Sequence, residues 1–248
     1  MKPLKVALCF SGQLRTWKQT IEDNRFFFQL NSNPDITIDC FAHTWDYNTW
    51  IDTKYENVLN GPKYINSYTE PVNKFELEEF KETYNLKSFV VDSVIKTYFN
   101  EWEHPLYSFM RSMEIKRQYE LDNNFDYDLV IKTRADSIWP GQKFNYKKPS
   151  PLSITAGLRG VKMPIEFFLN DLNDVLFWGD SFSMDLLGNA YRWNFKNTTD
   201  KIKNQAYLIS QVANRKLGPG TIFHKYASEL GLFVYYEENP WKIVRKTQ

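Results

Sequence analysis

Three charged residues follow a short apolar run near the middle of the chain, and their spacing makes them the first candidates for chemistry. The run covers residues 129–131, and Lys132, Arg134 and Asp136 follow within five residues. An uninterrupted apolar run is typical of a strand in a parallel sheet that is covered on both faces. In open α/β sheets, ligands bind beyond the carboxyl ends of the strands. The pattern predicts a polyanion site at which Arg134 and Asp136 face the ligand, directly or through a divalent metal.

Two earlier segments have the same organisation, a predicted strand that ends in polar residues. Apolar residues 6–10 run into a polar loop, and the predicted strand 36–45 ends in polar and aromatic residues. Gly12 would let the backbone approach a ligand closely, and Arg15 offers a forked donor to phosphate. Because the carboxyl ends of parallel strands share one edge, we expect the three ends to converge. The candidate binding residues at the two earlier ends are Ser11, Gly12, Gln13, Arg15, His43, Thr44, Trp45 and Asp46. For His43, a buried and hydrogen-bonded position is the favoured alternative.

The rest of the pattern alternates between helical and extended segments. Helices are predicted over residues 17–30, 70–84, 105–121, 201–212 and 221–230, and further strands over 88–92, 152–155, 161–163, 175–178 and 232–236. In the third helix Leu106, Phe109, Met113 and Leu121 fall near a 3.6-residue period, which predicts a face packed on the sheet. Residues 47–70 have an irregular pattern. The alternation predicts the α/β class, with a mostly parallel central sheet flanked by helices, in one domain over 1–248.

Composition limits the partners and the compartment. Lys and Arg number 31 against 30 Asp and Glu, so no global basic field indicates a nucleic-acid partner. Cys9 and Cys40 lie inside predicted strands, which favours reduced core residues in a cytoplasmic protein over a disulfide framework. No apolar run has the length of a signal peptide or a membrane span, which predicts a protein without a transmembrane segment. Peripheral contact with a membrane surface stays open.

Several kinds of active site are disfavoured by missing motifs. The loop after residue 10 has neither the Walker A sequence nor the dinucleotide glycine pattern. A serine hydrolase of the nucleophile-elbow type is disfavoured because no Gly-x-Ser-x-Gly occurs. No cysteine or histidine pair has the spacing of zinc ligands.

Four motifs in order match a known pattern. They are Phe-Ser-Gly-Gln-Leu-Arg-Thr-Trp at 10–17, Phe-Ala-His-Thr-Trp at 41–45, Tyr-Asp-Leu-Val-Ile-Lys-Thr-Arg-Ala-Asp at 127–136, and Asn-Asp-Val-Leu-Phe-Trp-Gly-Asp at 173–180. With these motifs the sequence resembles the GT-A-type glycosyltransferases, and more closely the group related to WavE-type lipopolysaccharide-biosynthesis enzymes and their viral and phage relatives. The resemblance spans about residues 5 to 236 and implies a GT-A-like, Rossmann-like fold.

The resemblance also implies a division of labour along the chain. Residues 1–140 would form the nucleotide-sugar half and residues 141–248 the acceptor half. The loop 11–15 would meet the nucleotide or its diphosphate, and residues 43–46 would lie near the base and ribose. Lys132 and Arg134 would also bind the donor.

The metal of such enzymes is held by an Asp-x-Asp motif, whose place is taken here by Arg134-Ala135-Asp136. Asp136 would then bind Mn²⁺ or Mg²⁺, since one carboxylate with phosphate oxygens and waters can complete an octahedron. The alternative is that Arg134 or Lys132 offsets the diphosphate charge directly.

The function implied is transfer of a sugar from a nucleotide-diphosphate sugar to a glycan or lipid-linked saccharide acceptor, as in polysaccharide or lipopolysaccharide biosynthesis. Asp174 resembles the acid on the acceptor side that takes the proton of the acceptor hydroxyl, and Asp171 is the second candidate. Both acids also suit helix caps or turns. Because the metal motif keeps one acid, the alternative function is a catalytically weak or inactive nucleotide-sugar or carbohydrate-binding protein of the same fold.

Overall fold

The computed structural model describes residues 2–54, 63–93, 103–158, 174–194, 219–238 and 242–243. Its strands are β1 (Leu4–Ser11), β2 (Ile36–Trp45), β3 (Tyr47–Lys54), β4 (Lys63–Pro71), β5 (Leu86–Asp92), β6 (Leu129–Thr133), β7 (Ser137–Ile138), β8 (Ser153–Leu158), β9 (Phe177–Gly179), β10 (Phe233–Glu238) and β11 (Lys242–Ile243). Its helices are α1 (Trp17–Phe27), α2 (Lys74–Thr83), α3 (Glu103–Asn123), α4 (Ser181–Gly188) and α5 (Pro219–Glu229).

A seven-stranded sheet in the order β10-β8-β9-β6-β1-β2-β5 forms the centre of the protein. β1 is parallel to both β2 and β6, β2 is parallel to β5, and β8 is parallel to β10. β9 is antiparallel to its two neighbours, β6 and β8. The chain therefore has the predicted class, a mixed and mostly parallel sheet flanked by helices.

Helices cover both faces of the sheet, which is why its central strands contain uninterrupted apolar runs. On one face α1 and α2 pack through residues that include Trp17, Phe27 and Phe80. On the other face α3, α4 and α5 bury residues that include Phe109 and Met184. Alternate residues of one strand point to opposite faces, so a strand between two helical layers needs apolar side chains on both.

Strand register brings the three predicted ligand-binding ends to one edge of the sheet. Ser11 is the partner of His43 on β2, and Phe10 is the partner of Thr133 on β6. β9 runs antiparallel to β6, so the residues that precede β9 lie at the same edge. Asp174 comes three residues before the start of β9. The sheet thus places the ends of β1, β2 and β6 and the approach to β9 together.

The prediction of an irregular segment over residues 47–70 is wrong for the part that the structure describes. β3 and β4 form an antiparallel pair in which Tyr47 is the partner of Pro71 and Asn48 the partner of Glu70. Thr49, Ile51 and Thr53 supply β-branched residues, which favour extended backbone. The two strands form a small sheet of their own, beside the end of β2.

Two smaller predictions concern the helices. The predicted helix 105–121 is present as α3, although Leu121 is 59% exposed and does not belong to the buried face. The Gly179-Asp180-Ser181 sequence also predicts a cap for the helix that carries Met184, and Asp180 caps α4 by accepting a hydrogen bond from the Ser183 backbone N–H at 3.0 Å. The predicted strand 161–163 and helix 201–212 lie outside the described residues.

Candidate functional site

An arginine–carboxylate fork forms the centre of the shared edge. Arg134 donates from Nε to Oδ1 of Asp136 and from a terminal nitrogen to Oδ2, both at 2.8 Å. Asp136 is fully buried, whereas the Arg134 side chain is 13% exposed. Burial alone would lower the pKa of Arg134, but the Asp136 and Asp174 carboxylates raise its pKa overall, so the guanidinium stays charged. A bidentate pair of this kind fixes the direction of the arginine as well as its charge.

A second arginine reaches the same carboxylate from the loop that follows β1. Nη1 of Arg15 lies 3.5 Å from Oδ2 of Asp136, and Nε of Arg15 donates to the side-chain oxygen of Gln13 at 2.9 Å. The backbone of Arg15 has φ +48°, a conformation that non-glycine residues rarely adopt. Its N–H donates to Oδ1 of Asn48, at the base of the β3–β4 pair, at 2.9 Å. The β3–β4 pair therefore holds the loop in the turn that directs Arg15 toward Asp136.

Lys132 is a buried cation whose ammonium group has no hydrogen bond or ion pair within the described ranges. The residue is 1% exposed, and its Nζ lies 5.4 Å from the centre of the Phe177 ring. Burial lowers the pKa of Lys132 to about 7; the charge of Asp174 acts in the opposite direction, and that of Arg134 adds to the lowering. Both the charged and the neutral form of Lys132 are therefore populated near neutral pH.

Four buried hydroxyl groups at this edge have no hydrogen-bond partner in the part of the chain that the structure describes. They belong to Ser11, Thr44, Thr133 and Ser137. By strand alternation, Ser11 and Lys132 lie on the face covered by α3, whereas Thr133 lies on the opposite face. Buried polar groups in native proteins are nearly always paired, so a group of unpaired hydroxyls indicates a missing polar partner such as a ligand or water.

Asp174, the first candidate for the catalytic base, lies at the same edge as the fork. Its Oδ2 is 3.5 Å from Nη1 of Arg134, and its side chain is 29% exposed. It is the most exposed of the carboxylates that contact Arg134. The second candidate, Asp171, lies outside the described residues.

His43 is held on both ring nitrogens, in agreement with the alternative of a buried histidine. Nδ1 lies 2.7 Å from the Ser108 hydroxyl, and Nε2 lies 3.2 Å from Oδ2 of Asp92. Tyr107 and Arg111 donate to the same Asp92 oxygen at 2.9 and 3.1 Å. Burial lowers the pKa of His43, although Asp92 acts in the opposite direction. The network fixes the end of β2 against α3 and β5.

Serine, histidine and aspartate are thus within contact distance, but their arrangement does not suit nucleophilic catalysis. Ser108 is completely buried inside α3, and its hydroxyl also lies 3.4 Å from the His43 carbonyl oxygen, which can accept from it. A serine nucleophile must reach its substrate and needs donors for the oxyanion. The motif-based argument against a hydrolase therefore holds for this cluster.

Other predicted contacts at the end of β2 and after β1 are occupied by protein. Trp45 is 1% exposed and stacks on the Tyr107 ring at 5.4 Å. The Gly12 N–H donates to the His43 carbonyl at 3.2 Å, which extends the β1–β2 pairing instead of facing a ligand. Gly12 has φ +118°, and a Cβ there would meet nothing within 4 Å, so the backbone conformation is what favours glycine. The Asp46 N–H donates to the Asp92 carbonyl at 3.0 Å.

The predicted metal role of Asp136 does not fit the described residues. Both carboxylate oxygens accept hydrogen bonds from Arg134, and the Arg15 guanidinium approaches one of them. A divalent cation bound there would have to displace or oppose two guanidinium charges. Nor does the described part of the chain contain a cluster of three or more His, Cys, Asp or Glu residues placed to hold an ion.

Sequence reasoning missed the residues that support this edge from a distance. Asn48 orients the Arg15 loop, and Asp92 orients His43. Thr133 and Ser137, which flank the fork, were not among the candidates although both are polar residues beside Arg134 and Asp136. Their hydroxyls could have been noticed by position, whereas Asn48 and Asp92 depend on contacts between distant segments.

Comparison of the chain with protein-family models gives no match, and comparison with curated proteins gives none either. Among the described helices, none combines the length and apolar character required to cross a bilayer.

Proposed function

We propose that this protein transfers a sugar from a nucleotide-diphosphate sugar to a saccharide or lipid-linked saccharide acceptor, on a sheet of the GT-A type. The observation that carries the proposal is the convergence of Arg15, Arg134 and Lys132 with unpaired hydroxyls at one edge of a mostly parallel sheet. Fixed guanidinium donors and hydroxyls suit the oxygens of a diphosphate. The four motifs that resemble glycosyltransferases lead into or lie at this edge, which favours a nucleotide sugar over other phosphates.

The reaction assigns a role to each charge. The bond between the anomeric carbon and the diphosphate oxygen breaks, and its electron pair leaves with the nucleoside diphosphate. A bond forms between the anomeric carbon and the acceptor oxygen, and Asp174 takes the proton of that hydroxyl. Arg15 and Arg134 stabilise the negative charge that develops on the leaving diphosphate.

A thermal-shift screen of UDP, GDP, ADP, CDP and dTDP, and of their sugar conjugates, tests the binding step. We expect one nucleoside diphosphate to raise the melting temperature, because a ligand that binds the folded state stabilises it by mass action. No shift with any of these compounds, with or without Mn²⁺, would remove the proposal.

Turnover is tested by the slow release of nucleoside diphosphate from the sugar nucleotide that binds, with and without simple saccharide acceptors. We expect Asp174→Asn to bind the nucleotide as wild type does and to lower the release rate by at least about a hundredfold, the range typical of a general base. A wild-type protein that binds but does not release product favours the alternative of a binding protein. Normal rates in the variant would exclude Asp174 as the base.

A further inference from the structure

The cations of the site and the carboxylate between them form one preassembled unit. Asp136 is completely buried and accepts two hydrogen bonds from Arg134, with Arg15 beside the same carboxylate. The side chains of Arg15 and Arg134 are 12% and 13% exposed, whereas Asp136 is not exposed at all. Both arginines are therefore partly accessible at the edge, and the carboxylate that they contact is not.

Arg134 keeps donors for a ligand while it is held by protein. A guanidinium has five N–H groups. Two of them bond to Asp136, and a third is directed at Asp174 over 3.5 Å. No described residue accepts from the other two, and two is the number that a bidentate contact with a phosphate requires.

A divalent cation would meet repulsion at this place. Like charges repel more strongly at the reduced dielectric of a protein surface than in water, and a doubly charged ion doubles that repulsion. The ion would oppose both Arg15 and Arg134, and it would also compete with them for the oxygens of Asp136. Metal binding and the arginine fork are therefore alternatives for the same carboxylate.

We propose that Arg15 and Arg134 hold the diphosphate directly, without a bridging divalent cation, and that Asp136 is a positioning residue that aims both arginines. The inference rests on the proposed function, since it concerns the same diphosphate. It reassigns Asp136 from metal ligand to arginine anchor, and it assigns the neutralisation of the leaving group to this chain's own side chains.

The charge balance sets what kind of binding to expect. Arg15, Arg134 and a protonated Lys132 carry three positive charges, and Asp136 and Asp174 carry two negative ones. The surplus is one positive charge, which is less than the charge of a nucleoside diphosphate. Affinity must then come from directed N–H bonds to the phosphate oxygens more than from net charge. The loss of one arginine should be correspondingly costly.

The decisive experiment is calorimetric titration of the wild-type protein with UDP, GDP, ADP, CDP and dTDP, once in excess EDTA and once in Mn²⁺. For the nucleotide that binds, we expect dissociation constants in the two buffers that agree within about threefold, or less than 1 kcal/mol. Binding that requires Mn²⁺ would overturn the inference and leave the proposed function standing. Absence of binding in both buffers would overturn the proposed function itself.

Arg15→Gln tests the direct contact in EDTA. A hydrogen bond to a charged group contributes about 1.5–3 kcal/mol, so we expect affinity to fall by about ten- to a hundredfold. Arg25→Gln is the matched control, because it removes the same charge from an exposed position on α1, beside the first residues of β2 and away from the site. Equal affinities of the two variants would exclude Arg15 from the phosphate contact.

The positioning role of Asp136 is tested by a double-mutant cycle. Asp136→Asn adds a positive charge to the site, yet we expect it to weaken binding in EDTA because Arg15 and Arg134 lose their anchor. If Asp136 acts through Arg15, then Arg15→Gln should cost less in the Asp136→Asn background than in wild type. Additive losses, or tighter binding by Asp136→Asn, would refute the role. Both variants must show the cooperative unfolding of wild type for the cycle to be read.

Discussion

Among the described residues, two buried lysines each lie near a buried serine, and the hydrogen bonds around the two pairs differ. Lys116 on α3 donates to the Ser181 hydroxyl at 2.6 Å, and it pairs with Glu120 at 2.9 Å and with Asp185 at 2.7 Å. We call Lys116 and Ser181 the satisfied pair. The Ser181 hydroxyl donates in turn to the other Glu120 oxygen at 2.6 Å. Arg117 also pairs with Glu120, at 3.2 Å, and the group ties α3 to α4.

Lys132 and Ser11 are diagonal neighbours at the sheet edge, where the partner of Lys132 on β1 is Cys9. We call them the unsatisfied pair, because neither has a hydrogen-bond partner within the described ranges. Both pairs are almost completely buried. Burial of a polar group without a hydrogen-bond partner destabilises the folded state, so other interactions must offset that loss of free energy. The comparison separates a buried lysine that is paired within the fold from one that, under the proposed function, would meet a ligand.

The largest change in the free energy of unfolding is expected when the lysine charge is removed from the satisfied pair. Lys116→Met leaves Arg117, whose side chain is 45% exposed, as the remaining cation beside Glu120 and Asp185. Breaking a buried ion pair costs about 3–5 kcal/mol, and we expect a loss in the lower part of that range. Urea unfolding at pH 7 measures the loss. Lys81→Met is the control, because Lys81 is half-exposed and pairs with Glu78 at the helix surface over 3.5 Å. A similar small loss in both variants would mean that the network does not stabilise the fold.

Replacement of Lys132 is expected to raise the free energy of unfolding instead of lowering it. The folded pKa of Lys132 is about 7, whereas the unfolded side chain titrates near 10.5. Below pH 7 both states are protonated, and the folded state bears the full cost of a buried cation. Between these pKa values the unfolded state holds the extra proton, so the stability of wild type rises with pH.

Lys132→Met lacks this titration and should be more stable than wild type at pH 7. Its advantage should shrink by about 2 kcal/mol between pH 7 and pH 9, since each unit of pKa difference corresponds to 1.36 kcal/mol. Urea unfolding of both proteins at the two pH values measures the change. The buried thiols of Cys9 and Cys40, whose pKa values burial raises, are common to both proteins and cancel. An advantage that does not change with pH would show that Lys132 has an ordinary pKa in the folded protein.

The central strands could be predicted from sequence because burial on both faces requires uninterrupted apolar runs. Residues 6–10 and 129–131 are such runs, and both became parallel neighbours in the sheet. The β3–β4 pair could not be read in the same way. Its residues mix polar types with β-branched and aromatic ones without regular alternation, and such a pattern also suits a surface loop. What defines the pair is its cross-strand register, which one strand alone does not encode.

The charges at the strand ends could also be predicted, but their partners could not. The position of Arg134 and Asp136 after β6 follows from the apolar run before them. Their fork depends on the turn of the backbone between β6 and β7; the resemblance implied a metal ligand at Asp136, with direct neutralisation by Arg134 or Lys132 as the alternative. Asn48 lies 33 residues from Arg15, and Asp92 lies 49 residues from His43. Contacts of this range follow from topology, which the chain reveals only once folded.

The smallest expected difference separates the two serines and tests the comparison without changing any charge. Ser181→Ala removes a hydroxyl that accepts from Lys116 and donates to Glu120, and leaving charged groups short of a partner should cost about 1–3 kcal/mol. Ser11→Ala removes a hydroxyl that bonds to nothing described, so its effect on urea unfolding should stay within about 0.5 kcal/mol.

The same two variants should show the opposite order of effects when their affinity for a nucleoside diphosphate is measured. Ser11→Ala should weaken its binding by roughly tenfold, because a hydroxyl that bonds to a charged phosphate contributes on the order of 1.5 kcal/mol. Ser181 lies at the start of α4 and supports a network away from the sheet edge, so Ser181→Ala should leave affinity unchanged while the protein remains folded. If Ser11→Ala lowers stability as much as Ser181→Ala and does not affect affinity, the unpaired hydroxyl has a structural role. The distinction between the satisfied and the unsatisfied pair would then fail, because it rests on the Ser11 hydroxyl having no described hydrogen-bond partner until a ligand binds.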